Sequence, residues 1–395
     1  MGALGGLKVL DLSVLVQGPQ AAAMLHDLGA DVVKIELPGQ GDLARWLVCE
    51  PGQTDSGFFE GCNRGKRSCT LDLRQPGGKR ALEALASRAD VLIHNFVPGT
   101  MEAWGLDYEH LSARNPRLVY ATGSTYGPLG AAAGREGADT SGQAAGGLIA
   151  TTGRAGGEPT TIGAVIADHT GCQNMVTGIL AALYHRERTG RGQRVDVSLV
   201  GGMVWAQCSE FSHFLITGAD QRPADRGHPL LPTLLRLVPT ADGWLVLVGV
   251  PAPLWPAFAR AIDRPELADE ARFHTLLPDA ETLAEMRALV DEVFPTRTTA
   301  EWCERLAAAG QRFAPVRGYA DIAADPDAFE NGYLVRVEHP TRGDTVVVGN
   351  PVRLSETPTV PGVVTPELGQ HTEEVLLEAG FGWDDIESLR ADGAF

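Results

Sequence analysis

Asp168, followed by His169, Thr170 and Gly171, opens the stretch of the chain best suited to chemistry. Behind it Cys172, Met175, Val176, Ile179, Leu180 and Leu183 recur at the spacing of a half-buried helix, and His185, Arg186 and Arg188 sit where its negative end falls. This predicts a helix starting at Asp168. A carboxylate there has two uses: it caps the helix by accepting backbone N–H groups, the commoner role, or it acts as a nucleophile. In either role the helix dipole should hold it ionised, at a place where anionic groups also bind. The spacing leaves that choice open. Other chemistries find less support. None of the ten histidines pairs with another at metal-ligand spacing, no GxSxG serine elbow is present, and His169 points away from its neighbour on a helix, so it packs or caps. The six cysteines, Cys49, Cys62, Cys69, Cys172, Cys208 and Cys303, form no CxxC pair and read as scattered reduced thiols. No metal is expected.

The elements that must position Asp168 begin with a βαβ unit: a strand over 7–12, a helix over 19–28 and a strand over 31–36. Glu36 at the end of the second strand suggests a ribose-binding acid, but the turn from Ser13 to Pro19 has no GxGxxG, so no nicotinamide is expected. Strands over 68–73, 90–96 and 118–121 and a helix over 77–88 continue the alternation. The fold class is therefore α/β, doubly wound on a parallel sheet, with ligands outside the carboxyl ends of the strands. The small residues of 134–163 read as a linker or as backbone that approaches a ligand closely. A strand over 194–199 and a helix over 200–215 follow, then a composition break at 221–229. Beyond it, strands over 234–238 and 244–248 flank the Asp242-Gly243 turn, and a helical, acidic stretch over 254–306 completes a smaller α+β domain. A strand pair over 334–349 and a helix over 373–380 end the chain.

Size and composition bound the function. The 395 residues are 44% hydrophobic and 21% charged, as in an ordinary globular protein. A net charge of −17 argues against a nucleic-acid binder, yet Asn63-Arg64-Gly65-Lys66-Arg67 is a local basic cluster able to hold phosphates. No segment reaches bilayer-spanning length, and a cytoplasmic protein away from membranes is expected.

A set of motifs in order along the chain then adds up: Val16-Gln17-Gly18-Pro19, Gly29 to Glu36, Gly41-Asp42 with Arg45, Lys66-Arg67-Ser68 with Leu71-Asp72-Leu73, Asn95-Phe96 with Pro98-Gly99, Asn115 to Leu118, Thr189 to Gln193 with Val195-Asp196-Val197, and Pro366 to His371. This set resembles the family III CoA-transferases of the CaiB/BaiF type, which include formyl-CoA transferase, carnitine CoA-transferase and α-methylacyl-CoA racemase. The resemblance implies a Rossmann-like large domain over 1–220 and 326–395, a small domain with its linkers over 221–325, and an interlocked homodimer. It implies an enzyme moving CoA from an acyl-CoA to a free carboxylic acid through an aspartyl mixed anhydride and an aspartyl-CoA thioester. The family's catalytic aspartate falls on Asp168 and its glutamine beside the thioester on Gln17. Backbone N–H groups at Thr170 or Gly171 would join Gln17 in steadying oxyanions, with Asp139 as a nearby acid. Coenzyme A would meet Val16, Arg45, Leu71, Leu73, Arg74, Asn95 and Phe96, with Lys66 and Arg67 as further phosphate candidates, because two CoA-holding arginines of formyl-CoA transferase fall on Leu37 and Ala103. That enzyme's covering run of glycines has no counterpart near 228–233. The racemase branch, the alternative function, needs a histidine proton partner, and its place is Ala138. A non-enzymatic CoA binder with Asp168 as a cap is the third reading.

Overall fold

The computed structural model describes residues 2–47, 56–223 and 225–395, and Cys49 lies outside them. Continuous apolar runs, unlike alternating ones, demand strands covered on both faces. Strands β1 (Lys8–Asp11), β2 (Asp31–Glu36), β3 (Arg67–Thr70), β4 (Val91–His94), β5 (Val119–Ser124) and β6 (Arg194–Ser198) meet that demand. They form one parallel sheet in the order β3-β2-β1-β4-β5-β6, with Val9 registered against Val32 on one side and Val91 on the other. The strand order reverses between β1 and β4, and the crevice outside the carboxyl ends at such a point is where ligands bind in open α/β sheets.

Helices α1 (Gln17–Asp27), α2 (Asp139–Ala145) and α3 (Ile166–Thr189) matter most for the site. Ala21 and Leu25 of α1, with Cys172, Met175 and Ile179 of α3, bury one face of the sheet against Val9, Val91 and Val119. The other face is covered by helices Pro76–Ala86, Thr372–Ala379 and Trp383–Ala391 through Leu82, Val375, Leu376, Ile386 and Leu389. The last turns of the chain are pinned to β3, with His371 N donating to Ser68 O (2.9 Å) and Thr70 N to Thr372 Oγ1 (3.0 Å). Strands β10 (Leu334–His339) and β11 (Gly343–Val348) form a separate antiparallel pair.

The chain divides into two compact units, one of Met1–Gly147, Gly163–Ala206 and Asp325–Phe395, the other of Leu148–Ile162 and Gln207–Ala324. The second unit holds the antiparallel sheet of β7 (Leu235–Pro239), β8 (Trp244–Val248) and β9 (Phe313–Pro315). Its core is aromatic: Trp255 stacks on Phe273 at 4.8 Å and Phe294 on Trp302 at 4.6 Å. Both indole N–H groups are satisfied, by Leu267 O and Phe294 O, as burial of a polar atom requires.

Several elements differ from the sequence expectation, among them the short helices Gly57–Asn63, Thr100–Trp104, Tyr108–Arg114, Tyr319–Ala324 and Pro326–Glu330, where none was expected. The small-residue stretch over 134–163 is neither bare linker nor open loop, since it contains α2 and the short helix Leu148–Thr151. Gly142 explains why small residues serve there: a Cβ on it would lie 2.6 Å from the Leu199 Cβ. The helix expected over 200–215 is two, Leu199–Ala206 and Cys208–Thr217, and Trp383–Ala391 forms a helix where none was expected. No helix among the described residues is long and apolar enough to cross a membrane.

Candidate active site

The site is built around the β1–α1 turn. Asn95, just past β4, brackets Val14, accepting from its N–H and donating to its C=O, both at 2.8 Å. Asp42 Oδ1 accepts from Leu15 N (2.9 Å), and Lys34 Nζ, buried at the end of β2, donates to Ser13 O (2.9 Å). Leu15 sits at φ 67°, a left-handed conformation that a side chain rarely adopts without support. Three side chains from separate strands and loops therefore fix the strained turn that delivers Gln17 to the start of α1.

Beneath the turn lies a closed charge cluster in which Asp11, Asp42 and Glu36 face Lys34, Lys66 and Arg45. Lys66 Nζ reaches Asp11 Oδ2 at 2.6 Å, Pro19 O at 2.8 Å and Asn63 Oδ1 at 2.9 Å. Burial disfavours charge on Asp11, yet the Lys34 and Lys66 ammonium groups hold its carboxyl below the usual range. Arg45 grips Glu36 with two bonds of 2.8 Å and stacks 3.8 Å over the Phe59 ring.

Gln17 is buried, and its Nε2 has no hydrogen-bond partner among the described residues. Gly123, at the end of β5, and Gly171 on α3 crowd its amide, and a Cβ on Gly171 would lie 2.6 Å from Nε2. Only glycine allows that approach. Asp168 stands three residues before Gly171 on the same helix face.

Asp168 is not the cap that the helix pattern predicts. The helix starts at Ile166, so Asp168 belongs to its first turn, and the cap position, Val165, makes no side-chain cap bond. Asp139 of α2 takes the capping role from another element: its Oδ1 accepts from Ala167 N (2.7 Å) and Asp168 N (3.2 Å), while Oδ2 accepts from Gln143 Nε2 (2.6 Å). The expected ionised state is opposed as well, by burial more than by Asp139. With burial first and the nearby Asp139 carboxylate second, the Asp168 carboxyl is pushed up to about 7. It meets no cation and accepts no hydrogen bond among the described residues. The N–H groups of Thr170 and Gly171 fall past the first turn, in the helix's own ladder to carbonyls four residues back, so they are not free oxyanion donors. His169 is held to Gln20 by a 2.7 Å contact from Nδ1 to Oε1.

A cavity of about 320 Å³ opens at the carboxyl ends of β1 to β4. Of the residues expected to meet CoA, Leu71, Leu73, Arg74 and Phe96 line it, together with Trp104 and Leu37. Val16 and Asn95 do not. Val16 is buried at the start of α1, and Asn95 acts through Val14, which does line the cavity. Three cations expected to meet phosphate are already engaged within the chain. Arg45 is committed to Glu36, Lys66 is buried in the charge cluster, and Arg67, at the opposite end of the sheet, is paired with Asp31, Glu374 and Glu378. Arg74, bound to Asp72 but largely exposed, is the cation left at this cavity among the described residues.

With this geometry in view, comparisons with known proteins are informative. The model of "CoA-transferase family III" matches residues 4–372. The chain is 36% identical over 403 residues to a succinyl-CoA:mesaconate CoA-transferase of Haloarcula marismortui, covering 98% of this chain and 100% of that one. It is 35% identical to a formyl-CoA:oxalate CoA-transferase of Streptomyces coelicolor, covering 99% and 98%, and 30% identical to the succinyl-CoA:glutarate CoA-transferase of Homo sapiens, covering 95% and 85%. Among solved structures, a CAIB/BAIF family protein from Brucella suis superimposes with a TM-score of 0.84 at 31% identity, covering 96% of this chain and 99% of that one.

Proposed function

The chain belongs to CoA-transferase family III, and from that premise we propose that it moves CoA from an acyl-CoA to a free carboxylic acid with Asp168 as the nucleophile. One observation carries the residue assignment: a half-buried carboxylate with no cation among the described residues stands one helical turn from Gly171, which crowds the Gln17 amide whose Nε2 has no partner among them. In an apolar crevice an ionised carboxylate attacks more readily than in water, and a pKa near 7 balances basicity against the fraction ionised.

In the first step an Asp168 oxygen bonds to the thioester carbonyl carbon, the C–S bond breaks, and CoA leaves as thiolate, giving a mixed anhydride. The thiolate then attacks the Asp168 carbonyl, which forms an aspartyl-CoA thioester and frees the donor acid. The acceptor carboxylate and CoA repeat the two steps in reverse order, restoring Asp168. Gln17 Nε2 donates to the oxygen that gains charge, a contribution of about 3 kcal/mol for a well-placed donor. Leu71, Leu73, Phe96 and Arg74 receive the CoA portion at the neighbouring cavity. A second copy of the chain is the expected partner, supported by the exposure of Trp205 in one unit and of Leu215 and Ile216 in the other.

Intact-mass measurement after mixing with acyl-CoA donors tests the assignment. A hydroxylamine-sensitive adduct that maps to Asp168 is expected, and its absence with every donor that turns over would end the covalent reading. Racemisation would instead show α-proton exchange with deuterated water and no acceptor requirement; with Ala138 at the place of the proton partner, none is expected.

A further inference from the structure

Helix α2 is made of small residues apart from Asp139 and Gln143, which stand four positions apart on one face and are both buried, with 6% and 1% exposure. A buried carboxylate and amide cost free energy unless hydrogen bonds replace the lost water. Gln143 supplies them: its Nε2 donates to Asp139 Oδ2 at 2.6 Å and to Ala164 O, two residues before α3, at 3.3 Å. One amide group therefore holds both the carboxylate and the backbone entering the helix that carries Asp168. Asp139 Oδ1 in turn accepts from Ala167 N and Asp168 N, first-turn groups that no earlier turn of the helix can serve. Packing closes the arrangement. A Cβ on Gly142, the neighbour of Gln143, would lie 2.6 Å from the Leu199 Cβ and 3.1 Å from the Ala167 Cβ, so α2 lies hard against the start of α3.

We propose that Gln143 is a positioning residue for the transfer reaction: it locks Asp139 against the first turn of α3 and so fixes where Asp168 stands. The proposal rests on the assignment of Asp168 as nucleophile in the preceding section. Gln143 acts through Asp139 and not on the reacting atoms. Without its amide, a buried carboxylate oxygen loses a donor and the carboxylate gains by turning toward another one, which takes the acceptor away from Ala167 N and Asp168 N. The helix start is then free to shift, and a displacement of about 1 Å at a reacting group is enough to cost about 10²-fold in rate. The same lock keeps the Asp139 charge beside Asp168, so losing it also weakens the smaller of the two causes that raise the Asp168 pKa. His169 and Cys172 are the other titratable groups on this stretch of α3; burial lowers the pKa of the imidazole and raises that of the thiol, so neither adds charge near pH 7. A role in packing alone predicts neither the rate effect nor the pH effect.

Gln143→Met keeps the length and bulk of the side chain and removes both N–H donors. Its kcat should fall about tenfold to a hundredfold while the KM for acyl-CoA changes less than about twofold, and the fall of kcat at low pH should move to lower pH. In an Asp139→Ala background the same substitution should cost less than about twofold in kcat, because the residue it acts through is gone. Losses that multiply independently, or a pH profile that stays where the parent has it, overturn the proposal and leave Gln143 to packing. Where Gln143→Met does not fold, Gln143→Asn, one methylene shorter and unable to span the same distance, is read by the same criteria. The rate of adduct formation on Asp168 separates this proposal from the one it rests on. An adduct that forms in the parent and about tenfold or more slowly in the variant supports both. Equal rates in parent and variant overturn the positioning role alone, and no adduct in a parent that turns over ends the nucleophile assignment and this role with it.

Discussion

Two polar regions meet at the β1–α1 turn, and they are built on opposite rules. On one side Asp11, Lys34, Asp42, Lys66, Glu36 and Arg45 pair with one another, three carboxylates against three cations, in the interior of the sheet. On the other side, among the described residues, Asp168 has no cation and the Gln17 amide N–H group no acceptor. Burial makes both arrangements costly, but only the first offsets the cost internally. On the proposed assignment, composition does not mark the site: the richer cluster of charges is closed on itself, and the poorer one is the one offered to a substrate. The two are coupled, because the satisfied cluster holds the strained turn that aims Gln17.

The sharpest test of this contrast is Asp168→Asn. Activity should fall on the order of 10⁴-fold or more, as for other covalent nucleophiles. Stability should move the other way. Because folding raises the Asp168 pKa, its carboxylate adds no penalty below the unfolded value near 3.8 and weakens the fold as pH rises through about 7. The variant should therefore be more stable than the parent by about 1–3 kcal/mol at pH 8 and equal to it at pH 4 in urea titrations. A variant destabilised at both pH values would show that Asp168 is a structural group after all.

Lys66→Met should behave in reverse, losing about 3–5 kcal/mol by leaving Asp11 with one buried counter-charge fewer. Chemical denaturation reads this directly, and a loss below 1 kcal/mol would break the distinction between the two regions. Gln17→Ala should lower kcat by about 10²- to 10³-fold with little change in KM or melting temperature, since its Nε2 has no hydrogen-bond partner among the described residues. A large stability loss with unchanged kcat would assign Gln17 to packing.

The pH profile offers a milder test. Only the ionised Asp168 attacks, so kcat should fall about tenfold per pH unit below an apparent pKa near 7. Asp139→Asn removes the secondary cause of the raised value and should move that limb to lower pH; a limb that stays put would remove Asp139 from the site's electrostatics. The smallest expected effect is that of Leu15→Gly. Glycine relieves the left-handed strain at φ 67° but gains freedom when unfolded, so stability should change by less than about 1 kcal/mol, while kcat drops if the turn's rigidity aims Gln17.

Much of the fold was legible from local pattern. The apolar runs of β1, β2 and β4, the 3.6-residue rhythm behind Asp168 and the Asp242-Gly243 turn each report on neighbours close in the chain, where period and turn chemistry act directly. Helix α2 and Trp383–Ala391 escaped notice because one is made of small residues and the other is short, and both owe their order to partners far away, Leu199 and the helix-covered face of the sheet. Arg45, Lys66 and Arg67 illustrate the same limit among site residues. A cation in a loop invites a phosphate, and nothing local shows that Glu36, Asp11 or Asp31 already holds it.

The sequence by itself determined which residue types stand at Asp168, Gln17, Gly123 and Gly171, the α/β class, and the order of motifs that resembles a CoA-transferase family. Tertiary structure alone decided their electrical state. Whether Asp168 caps a helix or is left with a free carboxyl depends on Asp139, 29 positions away, taking its place at the helix start, and on how far burial strips water from the carboxylate. Both depend on distances between elements remote in the chain, which residue order constrains only through the folded packing.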